Sequence, residues 1–232
     1  MAKASAHSIG PNMTKSETVA GVLYLPFYVV LLSMGLLYGA ELLGLSLTPV
    51  PLNGAYFVLN ALFTWVLFGR FLVTSWRSIR FWDTVQAVIL GFVLYYVLNV
   101  AVNFALQYFS LSVKSYNDDS MQALAQENYL VTVLCSVLLA PLTEEVLARG
   151  LIFGTVRKTS RIAAYAASML FFSFIHVWQF IPSQGWAAIW PAAVLYVPAS
   201  AALCWTYEKA GTVWAPVFLH MVCNAITLGL FA

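Results

Sequence analysis

Six polar residues stand inside otherwise apolar stretches of this 232-residue chain: Glu144, Glu145 and Arg149 close together, His176 further on, then His220 with Asn224. An ionisable side chain in a membrane span costs roughly 2.5–3.5 kcal/mol on insertion scales, so each marks function by default. Their spacing suggests what they do. Glu145 and Arg149 stand at i and i+4, where helical side chains stack and pair. Glu144 points about 100° away around the same helix and is free to face a polar chamber. His220 and Asn224 share one helix face, and Phe172 and His176 repeat that spacing. A carboxylate beside an imidazole can take a proton from water. A second imidazole next to an amide supplies donors for the negative oxygen of a tetrahedral intermediate. These parts suit water-driven acyl hydrolysis without a serine or cysteine nucleophile.

The elements that position these groups are membrane helices. The chain is 62% hydrophobic and 9% charged, against about a quarter charged for soluble domains, so most of its surface faces lipid. A net charge of +2 gives no field for nucleic acid, and no nucleic-acid partner is expected. Cys135, Cys204 and Cys223 lie in apolar runs without paired spacing, which indicates neither a disulfide framework nor a thiolate metal site. Stretches free of Asp, Glu, Lys and Arg place crossings near 20–40, 52–72, 84–108, 129–156, 162–180, 187–207 and 211–231. The fold class is therefore all-α: a polytopic bundle of about seven membrane helices, or eight, with an extra interfacial or re-entrant piece near 41–55 or 115–127. Residues 1–18 form a cytoplasmic N-terminal segment without a cleavable signal pattern, and 19–232 form one transmembrane bundle with its polar core at 129–231.

Orientation follows from the basic residues. With the N-terminus cytoplasmic, Lys3, Lys15, Arg70, Arg77, Arg80, Arg157, Lys158, Arg161 and Lys209 fall inside and only Lys114 outside, which puts the C-terminus outside. Trp65, Trp82, Trp178, Trp186 and Trp190 read as interfacial anchors. At about 1.5 Å per residue from the nearest cytoplasmic basic residue, Glu144, His176 and His220 reach depths of roughly 20, 22 and 16 Å. Three separate helices thus carry their ionisable groups in one layer.

The segment from Ala140 to Gly150 reads Glu-Glu-x-x-x-Arg at Glu144, Glu145 and Arg149; Phe172 and His176 give Phe-x-x-x-His; His220 and Asn224 give His-x-x-x-Asn. In this order the three motifs resemble the CPBP/Abi family of intramembrane glutamic endopeptidases, which includes the CAAX prenyl endopeptidases. The resemblance covers residues 140 to 225 and departs mildly at Ala148, where the family often has an aromatic residue. It implies that Glu144 and His176 activate water, that His220 and Asn224 form the oxyanion site, and that Glu145 and Arg149 support them. The short loops resemble prokaryotic members, which implies a prokaryotic cell membrane.

Other readings stand beside this one. The two glutamates can simply neutralise Arg149; His176 can be a packing histidine; His220 and Asn224 can be interhelical glue. Two histidines and a glutamate can ligate zinc, but no His-Glu-x-x-His pair is present, and no cofactor is expected. A non-catalytic relative with a bacteriocin-immunity or adaptor role is the alternative from another class. A proton-coupled transporter would need repeat symmetry between halves, which the sequence lacks. The expected partners are the lipid bilayer and a peptide or membrane-protein substrate that the loops do not specify.

Overall fold

The structure, a computed structural model, describes residues 10–46 and 48–230. Within them the chain is helical, without strands. Five helices are long and apolar enough to cross a membrane: α1 (Lys15–Leu42), α2 (Pro49–Arg77), α3 (Phe81–Tyr108), α5 (Tyr129–Val156) and α6 (Arg161–Gln184). Between α3 and α5 runs α4 (Tyr116–Glu127), a polar 12-residue helix where an interfacial piece was expected. After α6 come α7 (Trp186–Val194), α8 (Val197–Ala210) and α9 (Trp214–Thr227).

Against the seven crossings expected, five helices, or six, are long and apolar enough to cross among the described residues. The helices α7 and α8 meet at a 42° bend and count as a sixth crossing only if taken together. Leu195 and Tyr196 form the break, and Pro198 sits in the first turn of α8, where its missing N–H costs nothing. The stretch expected at 211–231 is a helix of 14 residues. It spans about 21 Å at 1.5 Å per residue, less than the ~30 Å hydrocarbon core. Gly211 in the left-handed region (φ 70°) closes α8 before it, and Gly229 (φ 72°) follows its end. Among the described residues of 41–55 there is no separate helix; Pro49 opens α2 directly. Lys3 and the last two residues lie outside the described residues.

Alternating helix directions sort the charges. One end of the bundle carries Lys15, Arg70, Arg77, Arg80, Arg157, Lys158, Arg161 and Lys209; the other carries Lys114 with Glu41, Asp118, Asp119 and Glu127. Ion pairs tie the basic end together. Glu208 on α8 accepts from Arg157 Nε (3.1 Å), Arg161 Nη2 (2.8 Å) and the Tyr165 hydroxyl (3.0 Å). Glu17 closes a capping box with Thr14 and reaches α2, where it accepts from Arg70 Nη2 (3.0 Å) and from the Phe71 N–H (2.9 Å). The Phe71 N–H lies just past a non-helical residue, Phe68, whose kink breaks the local ladder. Trp65 stands 12 residues before Arg77, in the middle of α2, so it is not an end anchor.

The motif helix α5 is the buried centre, with Val146, Leu147, Ala148, Arg149 and Phe153 fully shut away. Around it the helices approach closely through small residues, as membrane packing requires. At Gly91 on α3, an added Cβ would fall 2.0 Å from Thr206 Oγ1 of α8 and 2.9 Å from Leu219 Cδ2 of α9. That three-helix contact fixes α9, and with it His220, against the bundle.

Candidate functional site

The helix α5 is not regular. Leu134–Leu139 and Val146–Phe153 adopt the wider π-helical winding, which often occurs at functional positions. Proline chemistry accounts for one consequence. In the first π segment the Ala140 N–H bonds back to the Cys135 carbonyl, five residues earlier, so the next donor in that register would serve Ser136. That residue is Pro141, which has no N–H. The orphaned Ser136 carbonyl is met instead by Asn224 Nδ2 of α9 at 2.8 Å.

Glu144 and Glu145 follow Pro141 and diverge. Glu145, fully buried, turns to Arg149: Arg149 Nη1 donates to Glu145 Oε1 at 2.9 Å, the i, i+4 pair read from the sequence. Arg149 is also fully buried. Its Nη2 donates to the Ser200 carbonyl (3.0 Å) and Ser200 Oγ (2.9 Å) on α8. Its guanidinium lies 4.5 Å from the centre of the Phe172 ring on α6, in cation–π range. One arginine thus links three helices and neutralises one of the two carboxylates.

The second carboxylate, Glu144, is 8% exposed and its Oε2 has no hydrogen-bond partner. His176 Nε2 lies 3.7 Å away and His220 Nε2 3.8 Å away. The three groups therefore converge, as the shared-layer estimate required. Each imidazole is held by its other nitrogen. His176 Nδ1 sits 2.7 Å from the Phe172 carbonyl, which only accepts, so Nδ1 carries hydrogen and Nε2 offers a lone pair. His220 Nδ1 sits 2.9 Å from Glu145 Oε1, an oxygen already accepting from Arg149, so this Nδ1 is likewise the donor. Packing completes the constraint: the Phe172 ring lies 4.4 Å from His176 and 5.4 Å from His220, and Tyr196 stacks on His176 at 4.6 Å.

Glu144, His176, His220 and Asn224 all line a cavity of about 1060 Å³. One amide hydrogen of Asn224 is committed to Ser136, and its second remains for another acceptor, since an amide nitrogen has two. The ligand atoms of Glu144, His176 and His220 lie within 4.8 Å of one another. With both Nδ1 atoms anchored, that donor set has the make-up of a zinc site, and these three residues could hold a metal.

Three contributors escape sequence reasoning. The Tyr28 hydroxyl approaches Glu144 Oε1 at 3.4 Å from α1, Tyr196 backs His176, and Ser200 holds Arg149. Tyr28 and Tyr196 look like any aromatic in an apolar run, and nothing in the spacing marks them. Ser200 was a weak signal, a lone hydroxyl among Pro198, Ala199, Ala201 and Ala202.

Residues 126–226 match the family model described as type II CAAX prenyl endopeptidase Rce1-like. Comparison with curated proteins and with solved structures gives no match. The matched stretch runs through α5 to α9 and contains Glu144, Glu145, Arg149, His176, His220 and Asn224. The three motifs, their convergence on one cavity and the family match agree: over residues 126–226 the chain is similar to the Rce1-like type II CAAX prenyl endopeptidases.

Proposed function

We propose that the protein is an intramembrane endopeptidase that hydrolyses a peptide bond with water activated by Glu144 and His176. The observation that carries this reading is the 3.7 Å separation of Glu144 Oε2 and His176 Nε2. Two acceptors at that distance suit one water that donates a hydrogen to each. As the water oxygen attacks the scissile carbonyl carbon, its proton passes to Glu144, which later delivers it to the leaving nitrogen. The carbonyl oxygen becomes the oxyanion. His220 Nε2 serves it as a donor when the ring holds both protons, a charge that the Glu145 carboxylate supports through Nδ1. The second amide hydrogen of Asn224 is the companion donor. Burial excludes bulk water and strengthens each of these interactions.

The cytoplasmic placement of the basic end, and with it the N-terminus, belongs to the same proposal and rests on the charge bias. The full chain in detergent or liposomes, incubated with membrane-peptide substrates, tests the reading. Glu144→Gln and His176→Ala that fold normally yet cleave at the parent rate would exclude it.

One observation favours a second reading, metal-assisted hydrolysis: the three converging ligand atoms with anchored histidines. A zinc ion there would supply Lewis acidity and an activated water. Chelation separates the two, as argued below. A non-catalytic role, with the cavity binding a peptide, would be favoured if Glu144→Gln retained full biological function.

A further inference from the structure

The two oxygens of Glu144 face different parts of the bundle. Oε2 faces the imidazoles of His176 and His220, whereas Oε1 accepts from the Tyr28 hydroxyl of α1 at 3.4 Å. Tyr28 and Glu144 are both buried, so a phenol that gave up this acceptor would leave an unpaired donor away from water, which is costly. The separation is long for an O–H···O bond, as catalytic hydrogen bonds in unliganded sites often are before substrate tightens them. Local structure aims the side chain. Directly after Pro26, Phe27–Leu31 take the same wide π winding as the motif helix, a feature frequent at functional positions. The Tyr56 hydroxyl of α2 donates to the Tyr28 carbonyl at 2.7 Å and fixes the backbone there. One residue before Glu144, the Thr143 hydroxyl accepts from Thr64 Oγ1 of α2 at 3.0 Å, so α2 steadies both partners. Tyr28, Tyr56 and Thr64 all precede residues 126–226, and this support for Glu144 comes from outside the stretch that matches the family model.

We propose that Tyr28 is a positioning residue for the hydrolytic step: its hydroxyl holds Oε1 of Glu144 and so keeps Oε2 turned to the water. A carboxylate with two free oxygens can take a proton on either one. A proton on Oε1 would lie on the α1 side, away from the leaving nitrogen. With Oε1 already accepting from the phenol, the proton of the attacking water goes to Oε2, from which it returns to the leaving nitrogen. The neutral carboxyl still accepts from Tyr28 through Oε1, and Tyr28 keeps its own proton throughout. This inference rests on the peptidase reading above for its effect on rate, but not for the hydrogen bond itself.

The hydrogen bond is tested first, without reference to catalysis. In infrared spectra of the full chain in liposomes, the Glu144 carboxyl band is the one lost in Glu144→Gln. That band should be displaced in Tyr28→Phe, which keeps the ring and its packing. It should stay in place in Tyr24→Phe, which removes a hydroxyl one turn away that donates to Asn60. A fluorotyrosine in place of Tyr28 keeps the shape but is a stronger donor, so it should displace the band the opposite way, and it decides the matter even where Tyr28→Phe does not fold. A band that no change at position 28 moves overturns the inference. The rate is tested second, with a membrane-peptide substrate. Tyr28→Phe should lower kcat by about 10- to 100-fold, the span for a hydrogen bond to a charged group. KM should stay within about twofold, as for an interaction that acts in the transition state, and Tyr24→Phe should leave both constants within the same limit. An unchanged kcat in folded Tyr28→Phe, or an equal fall in Tyr24→Phe, overturns the positioning role. No cleavage by the parent chain above a Glu144→Gln blank would remove the peptidase reading and the rate effect with it, while the band position would still decide whether Tyr28 holds Glu144.

Discussion

His220 Nδ1 lies 2.9 Å from Glu145 Oε1, the same oxygen that accepts from Arg149 Nη1 at 2.9 Å. The second glutamate of the motif is therefore more than a counter-ion for Arg149, because it also sets the tautomer and the direction of the imidazole facing Glu144. Removing one partner of a buried ion pair typically costs about 3–5 kcal/mol. Glu145→Gln is predicted to lower the thermal midpoint in detergent and to reduce kcat even where the protein remains folded. Full activity in folded Glu145→Gln would show that His220 is oriented by something else.

Asn224 is predicted to have two separable roles. Asn224→Ala orphans the Ser136 carbonyl, at a cost of about 1–3 kcal/mol, and removes a proposed oxyanion donor, at a cost of about 10²–10³ in kcat. Pro141→Ala restores an N–H in the register that faces Ser136. The double variant Pro141→Ala/Asn224→Ala should thus regain stability relative to Asn224→Ala but not rate. If the rate returns along with the stability, Asn224 acts only as a structural contact.

Gly91 is predicted to admit no side chain unless its neighbour shrinks. A Cβ there would fall 2.0 Å from Thr206 Oγ1, so Gly91→Ala should lower stability by about 1–3 kcal/mol through overpacking. Thr206→Ala removes the offending oxygen, and the double variant should recover much of the loss in a denaturation series. A neutral Gly91→Ala would mean that α3 and α8 separate easily.

Much of this arrangement was legible in the sequence because burying charge in a membrane is costly. Glu144, His176 and His220 could be placed in one layer from rise per residue alone, and the structure brings both imidazoles within 4 Å of Glu144 and all three groups within 4.8 Å of one another. The Glu145–Arg149 pair followed from i, i+4 spacing despite the π winding that begins at Val146. The crossings were less legible. An apolar run does not report where the helix inside it breaks, so the bend at Leu195–Tyr196 and the shortness of Trp214–Thr227 went unseen. Hydropathy counts residues, whereas left-handed Gly211 and the proline of α8 decide where helices end. The Asn224–Ser136 bond was hidden for a related reason: it depends on a missing proline N–H in a π register that sequence periodicity does not reveal.

Chelation is predicted to leave the cleavage rate unchanged, because the proposed step runs through a carboxylate and an imidazole. The rate of the purified protein before and after treatment with a strong zinc chelator is the check. Loss of activity that is restored by added zinc, and not by magnesium, would favour the three-ligand reading of Glu144, His176 and His220.

The most direct measurement is the single-turnover rate of peptide cleavage by the reconstituted full chain and by Glu144→Gln, compared at matched thermal stability. The substitution keeps size and hydrogen-bonding capacity but cannot accept a proton from water. A fall of at least about 10²–10⁴ is predicted, the range that positioned general bases contribute. Cleavage by folded Glu144→Gln at the parent rate would contradict the account.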